Sequence, residues 1–431
     1  MTKDRRISFS KLSQKQVAAA AARHEMLYAG RMGGARAVFA FCDLSGLDLS
    51  GRNLADADFT GAILEETNLA RAKLDSASFF GADLRRTNLE SASMRRCDMR
   101  GASLRGANLI GADLCEADLR EGAIAEKDRF GNLRLLQHDI GASELPDALM
   151  NSANLERAKM TGAMAMQADF TDAVMKNCTL VRANLRHAKL SGANLEGADL
   201  SGCNLSNADL TGAILIGAKL THAVLDGTDL STVLTERAIG RGVADLGAPL
   251  ADILAAHSRW AESDGREGTP ADLSNMDLRG LTSLSNRALT ALTAPGATFY
   301  GMNLEGASLQ GSNLAGADLR SAKLSGTDLR GANLTGAKLS NADLRDVRMG
   351  PLLISEQRLL PARLDRAHAR YADFRGADLR RVNFAESDLA YSNFHDADLR
   401  DAELASAILT GAKLPAVYAE QFSPAGLAAT A

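Results

Sequence analysis

The sequence has few aromatic residues for its share of apolar ones. Phe, Trp and Tyr together make up 4% of the 431 residues, whereas apolar residues of all types make up 46%. Aromatic rings usually supply much of the volume of a broad hydrophobic core. Their scarcity excludes such a core and indicates a narrow one, filled mainly by Leu and Ala.

The sequence also lacks an excess of charge of either sign. It carries 49 basic and 53 acidic residues, for a formal net charge of −4. A protein that binds nucleic acid over much of its surface needs a basic footprint. We therefore expect no direct binding of nucleic acid.

Long apolar runs are missing as well. No stretch approaches the roughly 18 apolar residues that indicate a transmembrane helix. The start of the chain at Met1 is polar and lacks the apolar region of a signal peptide. We therefore expect no membrane span and a cytoplasmic location.

Motifs that carry chemistry are also missing. The pair His24-Glu25 begins like a zinc-protease helix, but no second His follows four residues after the first. The glycine-rich segment 30–34 is not followed by Gly-Lys-Ser or Gly-Lys-Thr, and no Gly-x-Ser-x-Gly elbow occurs. The histidines and cysteines do not have the spacing of metal ligands. We predict no catalytic residue, no cofactor and no metal site, and hence a protein that is not an enzyme.

What the sequence does contain is a five-residue period. From Leu44 onward a large apolar residue recurs at every fifth position, with a small residue two places earlier. Five steps of an α-helix advance about 500°, so these residues would spiral around its axis. In a strand, the odd spacing would send them to alternate faces. A chain that turns once per repeat points them all at one axis, which predicts a solenoid.

The period continues through most of the chain in three runs. They extend from Leu44 to Ile124, from Met150 to Leu230 and from Phe299 to Leu414. The third run keeps its phase even through the irregular stretch 350–361, which is bounded by Gly350 and Pro361. We therefore predict one regular architecture with interruptions.

The repeats resemble those of a known family. Segments 57–61 (Ala-Asp-Phe-Thr-Gly) and 317–321 (Ala-Asp-Leu-Arg-Ser) are similar to the A(D/N)LXX unit of the pentapeptide repeat family. The resemblance implies an all-β solenoid, a right-handed quadrilateral β-helix with four repeats per coil. Residues 20 apart in the sequence would then stack on neighbouring coils.

Opposite charges often lie 20 residues apart, as stacking of coils would favour. We expect these residues to pair: Glu65 with Arg85, Glu66 with Arg86, Asp75 with Arg95, Arg96 with Glu116, Arg381 with Asp401, and Asp346, Arg366 and Glu386 in one column.

The cysteines follow the repeat pattern. Four of them stand at the small inward position, where they are predicted to replace Ala in the core: Cys42, Cys97, Cys178 and Cys203. Cys115 is expected to face outward as a free thiol, which suits a reducing compartment.

Two segments interrupt the repeats. Residues 125–149 form either a loop on the binding face or a tolerated surface loop. Residues 231–298 contain apolar residues at helical spacing, which predicts a short α-helix near 249–262, with Pro249 in its first turn. A comparable helix is predicted near 13–29, with Ser13 as the N-cap.

The two helices indicate a repeated plan of helix, glycine turn and β-helix, in two tandem modules. We expect each helix to cap an open coil end, whose unpaired backbone groups would otherwise pair with another chain; partner recognition is the alternative. The C-terminal coil is closed by the tail or by a second copy, as a homodimer. The predicted segments are the N-terminal helix and cap 1–41, β-helix 42–124, interruption 125–149, β-helix 150–230, helical linker or cap 231–298, β-helix 299–414 and tail 415–431.

Two arginine patches and one aromatic residue are candidate partner surfaces. Like charges stacked on a ladder cost energy, which an anionic partner would offset. The alternative for the arginines is that they are simply solvated, and the alternative for the Trp is that it packs against a coil end. The candidates are Arg100, Arg105 and Arg120, then Arg380 and Arg400, and Trp260.

We predict a non-enzymatic scaffold that binds a protein partner of unknown identity. The family resemblance implies an alternative, because some members imitate duplex DNA, bind DNA gyrase and confer resistance to topoisomerase poisons. Those members are typically compact acidic dimers, whereas this chain is long and near neutral and lacks their C-terminal dimer helix. A third alternative is an enzyme that uses 231–298 as a catalytic insert.

Overall fold

The computed structural model describes most of the chain, with gaps. The described residues are 9–122, 142–238, 240–281, 283–355 and 358–419, together with the backbone of 125–127 and 133–135. Ile124, His138 and Phe422 lie outside the described residues, as does the tail from residue 420.

Each regular coil of the chain contains four five-residue repeats. Parallel bridges join Asp58 to Ser78 and Ser78 to Asp98, so residues 20 apart lie on neighbouring coils. Between these bridges the Leu64 N–H donates to the Asp83 carbonyl at 2.7 Å. The same pattern recurs through both halves of the chain. The fold is a solenoid of the β-helix type, in agreement with the predicted stacking.

A tight turn in each repeat explains the five-residue period. The Phe59 carbonyl accepts the Ala62 N–H at 3.0 Å, and Gly61 between them has φ of +61°. A type II turn requires positive φ at this place, which favours Gly. The turn lets the chain change direction before the next large residue.

The core is a stack of large and small apolar side chains. Phe59 and Leu64 are 0% exposed, as is Ala62 between them. The rings of Phe39, Phe59 and Phe79 stack on successive coils, with centroids 5.1 and 4.8 Å apart. These coils of the first unit hold one stacked ring each, which fits the narrow core that the scarcity of aromatic residues predicts.

Most cysteines lie where the repeat places them, but Cys115 does not. Burial raises the pKa of the Cys178 and Cys203 thiols to about 12. Cys115 follows the large inward residue and is nonetheless only 2% exposed. Cys115 is a free thiol, as predicted, but the prediction that it is exposed was wrong; Arg95 on the neighbouring coil extends over this position to Asp113, at 2.8 Å.

The helices and strands outside the repeats are short. The strands are β1 Ser10–Lys11, β2 Cys42–Asp43, β3 Ala125–Lys127, β4 Leu133–Leu135, β5 Arg241–Gly242, β6 Met276–Asp277, β7 Leu352–Ser355 and β8 Arg358–Leu360. The helices are α1 Gln14–Tyr28, α2 Leu250–Glu262 and α3 Ala416–Ala419, with a 3-10 turn at Val243–Asp245. None of the helices in the described ranges is both long and apolar enough to cross a membrane.

The chain divides into two compact units, Met1–Arg237 and Ala238–Ala431. Each unit begins in the same way. In the first, β1 pairs in parallel with β2, and α1 lies between them in the sequence. In the second, β5 pairs in parallel with β6, and α2 lies between them.

The predicted capping helices are both present. Ser13 caps α1 and forms a capping box with Gln16. α2 begins at Leu250, one residue after Pro249, so the proline precedes the first turn. Leu250 and Leu254 are buried in the core of the second unit, which is the arrangement expected of a cap.

A buried histidine anchors each capping helix to the first repeat of its unit. His24 accepts the Ala37 N–H at Nδ1, at 3.0 Å, and its Nε2 lies 2.8 Å from the Ala55 carbonyl. His257 accepts the Ala271 N–H at Nδ1, also at 3.0 Å. A ring nitrogen that accepts a backbone N–H cannot carry a proton, so the cap requires neutral histidine.

We expect the second unit to lose stability as the pH falls below about 6.5. Burial lowers the pKa of His257 below its ordinary 6.5, so the unfolded chain takes up a proton before the folded one. Stability is complete above pH 6.5 and falls by up to about 1.4 kcal/mol per pH unit until the folded pKa is reached. Denaturation followed by the fluorescence of Trp260, the only Trp, measures this.

The matched control is His257→Asn, whose side-chain oxygen accepts the Ala271 N–H without titrating. Between pH 7 and 5 the midpoint of this variant should fall less than that of the wild-type chain. All other titratable groups are shared by the two chains, so the difference between their midpoints isolates His257. A wild-type midpoint that falls no more than that of His257→Asn would contradict the role given to His257.

The repeats extend beyond the predicted boundaries at four places. The first bridge joins Val38 to Asp58, Glu144 already pairs with Ser103, Leu234 still pairs with Ile214, and Asp272 pairs with Thr293. The repeats at Phe39 and Leu145 are in phase with the runs that follow them and were left out of the predicted runs, whereas the repeat at Leu273 is one residue out of phase with Phe299.

The stretch 350–361 is an inserted hairpin of β7 and β8, not two further repeats. The insertion lengthens this coil by ten residues, a multiple of five, so the five-residue count kept its phase while the stacking step grew from 20 to 30 residues: Asn333 pairs with Arg363. Asp346 consequently lies next to Gly376 on the following coil, and the predicted column of Asp346 with Arg366 was wrong.

Candidate interaction surface

Arginines on the outer surface pair with an aspartate two residues earlier. In each Asp-Leu-Arg, Asp-Met-Arg or Asp-Phe-Arg repeat, the carboxylate accepts the arginine backbone N–H and two guanidinium N–H groups. For Asp98 and Arg100 these distances are 3.2, 2.8 and 2.7 Å. The arginines so held are Arg85, Arg100, Arg120, Arg279, Arg320, Arg330, Arg345, Arg375, Arg380 and Arg400.

These pairs fix both the position and the charge of the side chains. The hydrogen bonds from Arg380 hold the pKa of the Asp378 carboxyl below its ordinary value, and those from Arg400 do the same for Asp398. A bidentate arginine pair has one preferred orientation. Each of these pairs therefore holds its arginine side chain in a defined place.

The first arginine patch lies on one face of the first unit. The bridge from Asp98 to Asp118 stacks Arg100 beneath Arg120, and the Arg100 guanidinium lies 5.1 Å above the ring centre of Phe80. Both arginines pair with their own aspartate, so their repulsion is offset within the chain and gives no reason to expect an anionic partner.

Arg105 also has an acidic partner, contrary to prediction. Its guanidinium lies 3.8 Å from the carboxylate of Glu144. Glu144 reaches the coil next to Ser103 because the chain resumes its repeats there after the interruption. Sequence counting in steps of 20 does not find this pair.

The second patch repeats the arrangement in the second unit. Asp378 bridges to Asp398, which stacks Arg380 beneath Arg400. Arg380 contacts Asp378 at 2.8 Å and Asp398 at 3.7 Å. One guanidinium thus links two coils.

The charge pairs predicted at a spacing of 20 form in part. Glu65 contacts Arg85 at 3.6 Å, Glu66 contacts Arg86 at 2.9 Å, and Arg381 contacts Asp401 at 3.4 Å. Asp75 accepts the Arg95 backbone N–H at 3.0 Å, while the Arg95 guanidinium reaches Asp113 at 2.8 Å. Glu116 lies 3.4 Å from Arg157.

Trp260 is half-buried near the end of α2. Its ring stacks on His257 with centroids 5.6 Å apart, and its Nε1 lies against the backbone of Gly265. Through these contacts the end of the helix packs against the following turn.

Metal-binding groups do not cluster in the described part of the chain. No set of three or more His, Cys, Asp or Glu side chains there has the geometry to hold a metal ion. The carboxylates described above are engaged by arginines.

One exposed apolar element was not recognised from the sequence. In the hairpin of β7 and β8, Leu353, Ile354 and Leu359 are 64%, 51% and 43% exposed. Leu352 packs against Gly331 on the solenoid surface. Pro351 and Pro361, which bracket the segment, are the signal that would have marked it as an insertion.

The repeats match a known family along more than half of the chain. The family described as pentapeptide repeats matches in eight copies, at residues 35–69, 53–90, 82–120, 168–207, 193–232, 312–350, 361–384 and 377–414. Together with the coil geometry, this places the protein in a class of five-residue-repeat solenoids. The chain belongs to the pentapeptide repeat family.

Three solved structures are similar to this chain. HetL, a pentapeptide repeat protein involved in heterocyst differentiation regulation in the cyanobacterium Nostoc sp. strain PCC 7120, is 20% identical over 90% of this chain and 94% of its own, with a TM-score of 0.19. Full-length QnrB1, a plasmid-mediated fluoroquinolone resistance protein, is 19% identical over 45% and 91%, with a TM-score of 0.21. Rfr23, from the cyanobacterium Cyanothece 51142, is 20% identical over 51% and 99%, with a TM-score of 0.11.

TM-scores this low carry no argument about function. No curated protein sequence matches the chain. The family assignment rests on the repeat match and the coil geometry.

Proposed function

We propose that this protein is a non-enzymatic cytoplasmic scaffold that binds a partner protein, built on a right-handed quadrilateral β-helix. The observation that carries the proposal is the set of arginine and aspartate pairs repeated along the coils. Each pair is closed by three hydrogen bonds, as between Asp398 and Arg400. Coils about 4.8 Å apart then present these side chains in fixed rows.

Fixed rows of side chains favour binding because little freedom is lost on association. The arginines keep an exposed outer edge: the side chains of Arg100, Arg120 and Arg380 are 41%, 47% and 46% exposed. A partner with hydrogen-bond acceptors at matching intervals would contact several coils at once. We propose Arg100, Arg105 and Arg120, and Arg380 and Arg400, as two such faces.

The same pairs argue against imitation of DNA. A DNA mimic needs rows of uncompensated carboxylates. Asp98, Asp118, Asp378 and Asp398 are each neutralised by an arginine of the same repeat. Binding of gyrase is therefore the less favoured alternative.

A catalytic role for 231–298 is also less favoured. Leu250, Leu254 and Leu273 from this segment belong to the core of the second unit. Trp260 packs against His257 within the same capping helix. Residues committed to a cap are not free to form a substrate site.

Affinity capture of the tagged full-length chain from its own cells, followed by mass spectrometry, tests the proposal. Two variants are captured in parallel, Arg100→Gln with Arg120→Gln and Arg380→Gln with Arg400→Gln, since Gln is polar but shorter than Arg and uncharged, so it removes the guanidinium from each face. We expect one reproducible partner, recovered about tenfold less with one variant, which corresponds to about 1.4 kcal/mol.

Other results would redirect the proposal. Gyrase subunits in the eluate would favour the DNA-mimic alternative despite the paired aspartates. Turnover of a metabolite by the purified chain, abolished by a single substitution, would overturn the non-enzymatic assignment. An empty eluate together with a dimer in sedimentation would favour self-assembly through a coil end.

A further inference from the structure

We infer that the hairpin of β7 and β8 is a docking site for an extended, acidic and apolar segment of a partner protein, which adds to the hairpin as a third strand. This inference rests on the proposed scaffold function and names where and how one partner binds. It is carried by three features of the hairpin: its open edges, its exposed apolar side chains and the arginines at its base.

The hairpin has backbone edges that no other element covers. β7 and β8 pair only with each other, through Leu352 with Leu360 and Leu353 with Leu359. In the described part of the chain, neither strand forms a backbone hydrogen bond to the coils. An isolated pair of strands is marginally stable in water, and an open edge is a template for a further strand.

Close packing against the solenoid holds the hairpin in place. A Cβ at Gly331 would approach Leu352 Cβ to 2.9 Å and Leu360 Cδ2 to 3.1 Å. Gly331 also has φ of +68°, so both its backbone and its lack of a side chain suit this contact. The hairpin base therefore rests on the coil through Leu352 and Leu360.

Three large apolar residues of the hairpin are exposed to solvent. Leu353, Ile354 and Leu359 are 64%, 51% and 43% exposed. Nearly all other large aliphatic residues of the described repeats point into the core. Contiguous exposed apolar side chains indicate an interaction site, and insertions in solenoids often lie on the binding face.

The base of the hairpin carries more positive than negative charge. Arg330 and Arg348 share one carboxylate, Asp328, at 2.8 and 3.0 Å. On the other flank, Arg363 and Arg366 share Asp365 at 3.1 and 3.6 Å.

The neighbouring charged residues do not cancel the net positive charge at the hairpin base. Arg358 on β8 adds an exposed guanidinium. Asp378 also lies near Gly350 at the hairpin base but is paired with Arg380. Glu356, which lies outside the described residues, removes one unit of charge from this part of the sequence and leaves the sum positive.

These features define the chemistry of the partner. An added strand would satisfy the open backbone edge, and its apolar side chains at alternate positions would cover Leu353 and Leu359. Carboxylates between them would meet the arginines that share Asp328 and Asp365. A basic segment would not supply these carboxylates, and a helical segment would not pair with the open backbone edge.

The test uses a display library of random 12-residue peptides, selected on the full-length chain and on the variant Leu353→Glu with Leu359→Glu. Both residues are exposed, so the variant should fold, which circular dichroism checks. Val224→Glu is the matched control, because Val224 is also exposed, at 42%, and lies in the other unit. We expect peptides that alternate apolar and acidic residues and bind at least tenfold more weakly to the hairpin variant alone.

Hydrogen exchange locates the bound peptide. The amides of β7 or β8 should become protected in the wild-type chain when a selected peptide binds. Peptides that bind the hairpin variant equally well, or that are basic, would overturn the inference. So would a wild-type oligomer that the hairpin variant converts to a monomer, since the hairpin would then bind a second copy.

The outcome is separable from that of the proposed scaffold function. If affinity capture recovers the same partner with wild type and the hairpin variant, the scaffold function stands and the docking site is wrong. If no partner is captured but hairpin-dependent acidic peptides are selected, the docking chemistry stands without a cellular scaffold role.

Discussion

Replacing Phe59 with Ala should destabilise the first unit by about 3 to 5 kcal/mol, the range found for large-to-small changes of buried aromatic residues. The ring is fully buried and lies between those of Phe39 and Phe79, at 5.1 and 4.8 Å. Its removal leaves a cavity that the coils cannot close, because bridges from Asp58 to Val38 and Ser78 hold their spacing. Denaturation followed by circular dichroism measures the loss.

The matched control is Phe80→Ala, at the very next position. Phe80 is only partly buried, on the outer surface beneath Arg100. Its loss should cost about 1 kcal/mol, the size of an exposed cation–π contact. Equal losses for Phe59→Ala and Phe80→Ala would show that the inward ring stack does not stabilise the coils.

Removing the guanidinium of Arg320 should destabilise the second unit by about 3 to 5 kcal/mol, as breaking a buried ion pair does. The side chains of Arg320 and Asp318 are only 7% and 11% exposed, and they contact each other at 2.6 Å. Arg320→Ala leaves the Asp318 carboxylate buried without its counter-charge. Denaturation followed by Trp260 fluorescence reports on this unit.

A second pair of the same sequence type serves as the control. Arg345 and Asp343 form the same contact at 2.7 Å, but their side chains are 46% and 28% exposed. Arg345→Ala should therefore cost no more than about 1 kcal/mol. In the background Asp318→Asn, Arg320→Ala should lose much of its effect, because no buried charge remains. An undiminished loss there would attribute the effect to packing of the arginine stem.

The inward half of each repeat was predictable residue by residue. The spacing alone places Phe59 and Leu64 in the core and Ala62 between them. The cap residues Ser13 and Gln16 were also accessible, since Ser followed by Gln three residues later is a local signal. Such features depend on residues within one repeat or one helical turn.

The outward half was predictable only where the coils are uninterrupted. Counting by 20 found Glu66 with Arg86, but it missed Arg105 with Glu144 and placed Asp346 next to the wrong residue. The pairing of arginine with aspartate two residues earlier was visible in the sequence, yet the turn that brings them together becomes clear only with coordinates. The two arginine patches were proposed as partner surfaces because their stacked like charges should repel each other. In the structure, the aspartates of the same repeats offset this repulsion.

The solenoid and its inward-facing large residues follow from the sequence alone, because a five-residue period allows only one way to bury these residues together. The two capping helices follow from apolar residues at helical spacing. The tertiary structure decided which coils become neighbours across an insertion, because that depends on where the chain rejoins the stack. It also decided the burial of Cys115 and Arg320 and the exposure of Leu353, since these depend on side chains far away in the sequence.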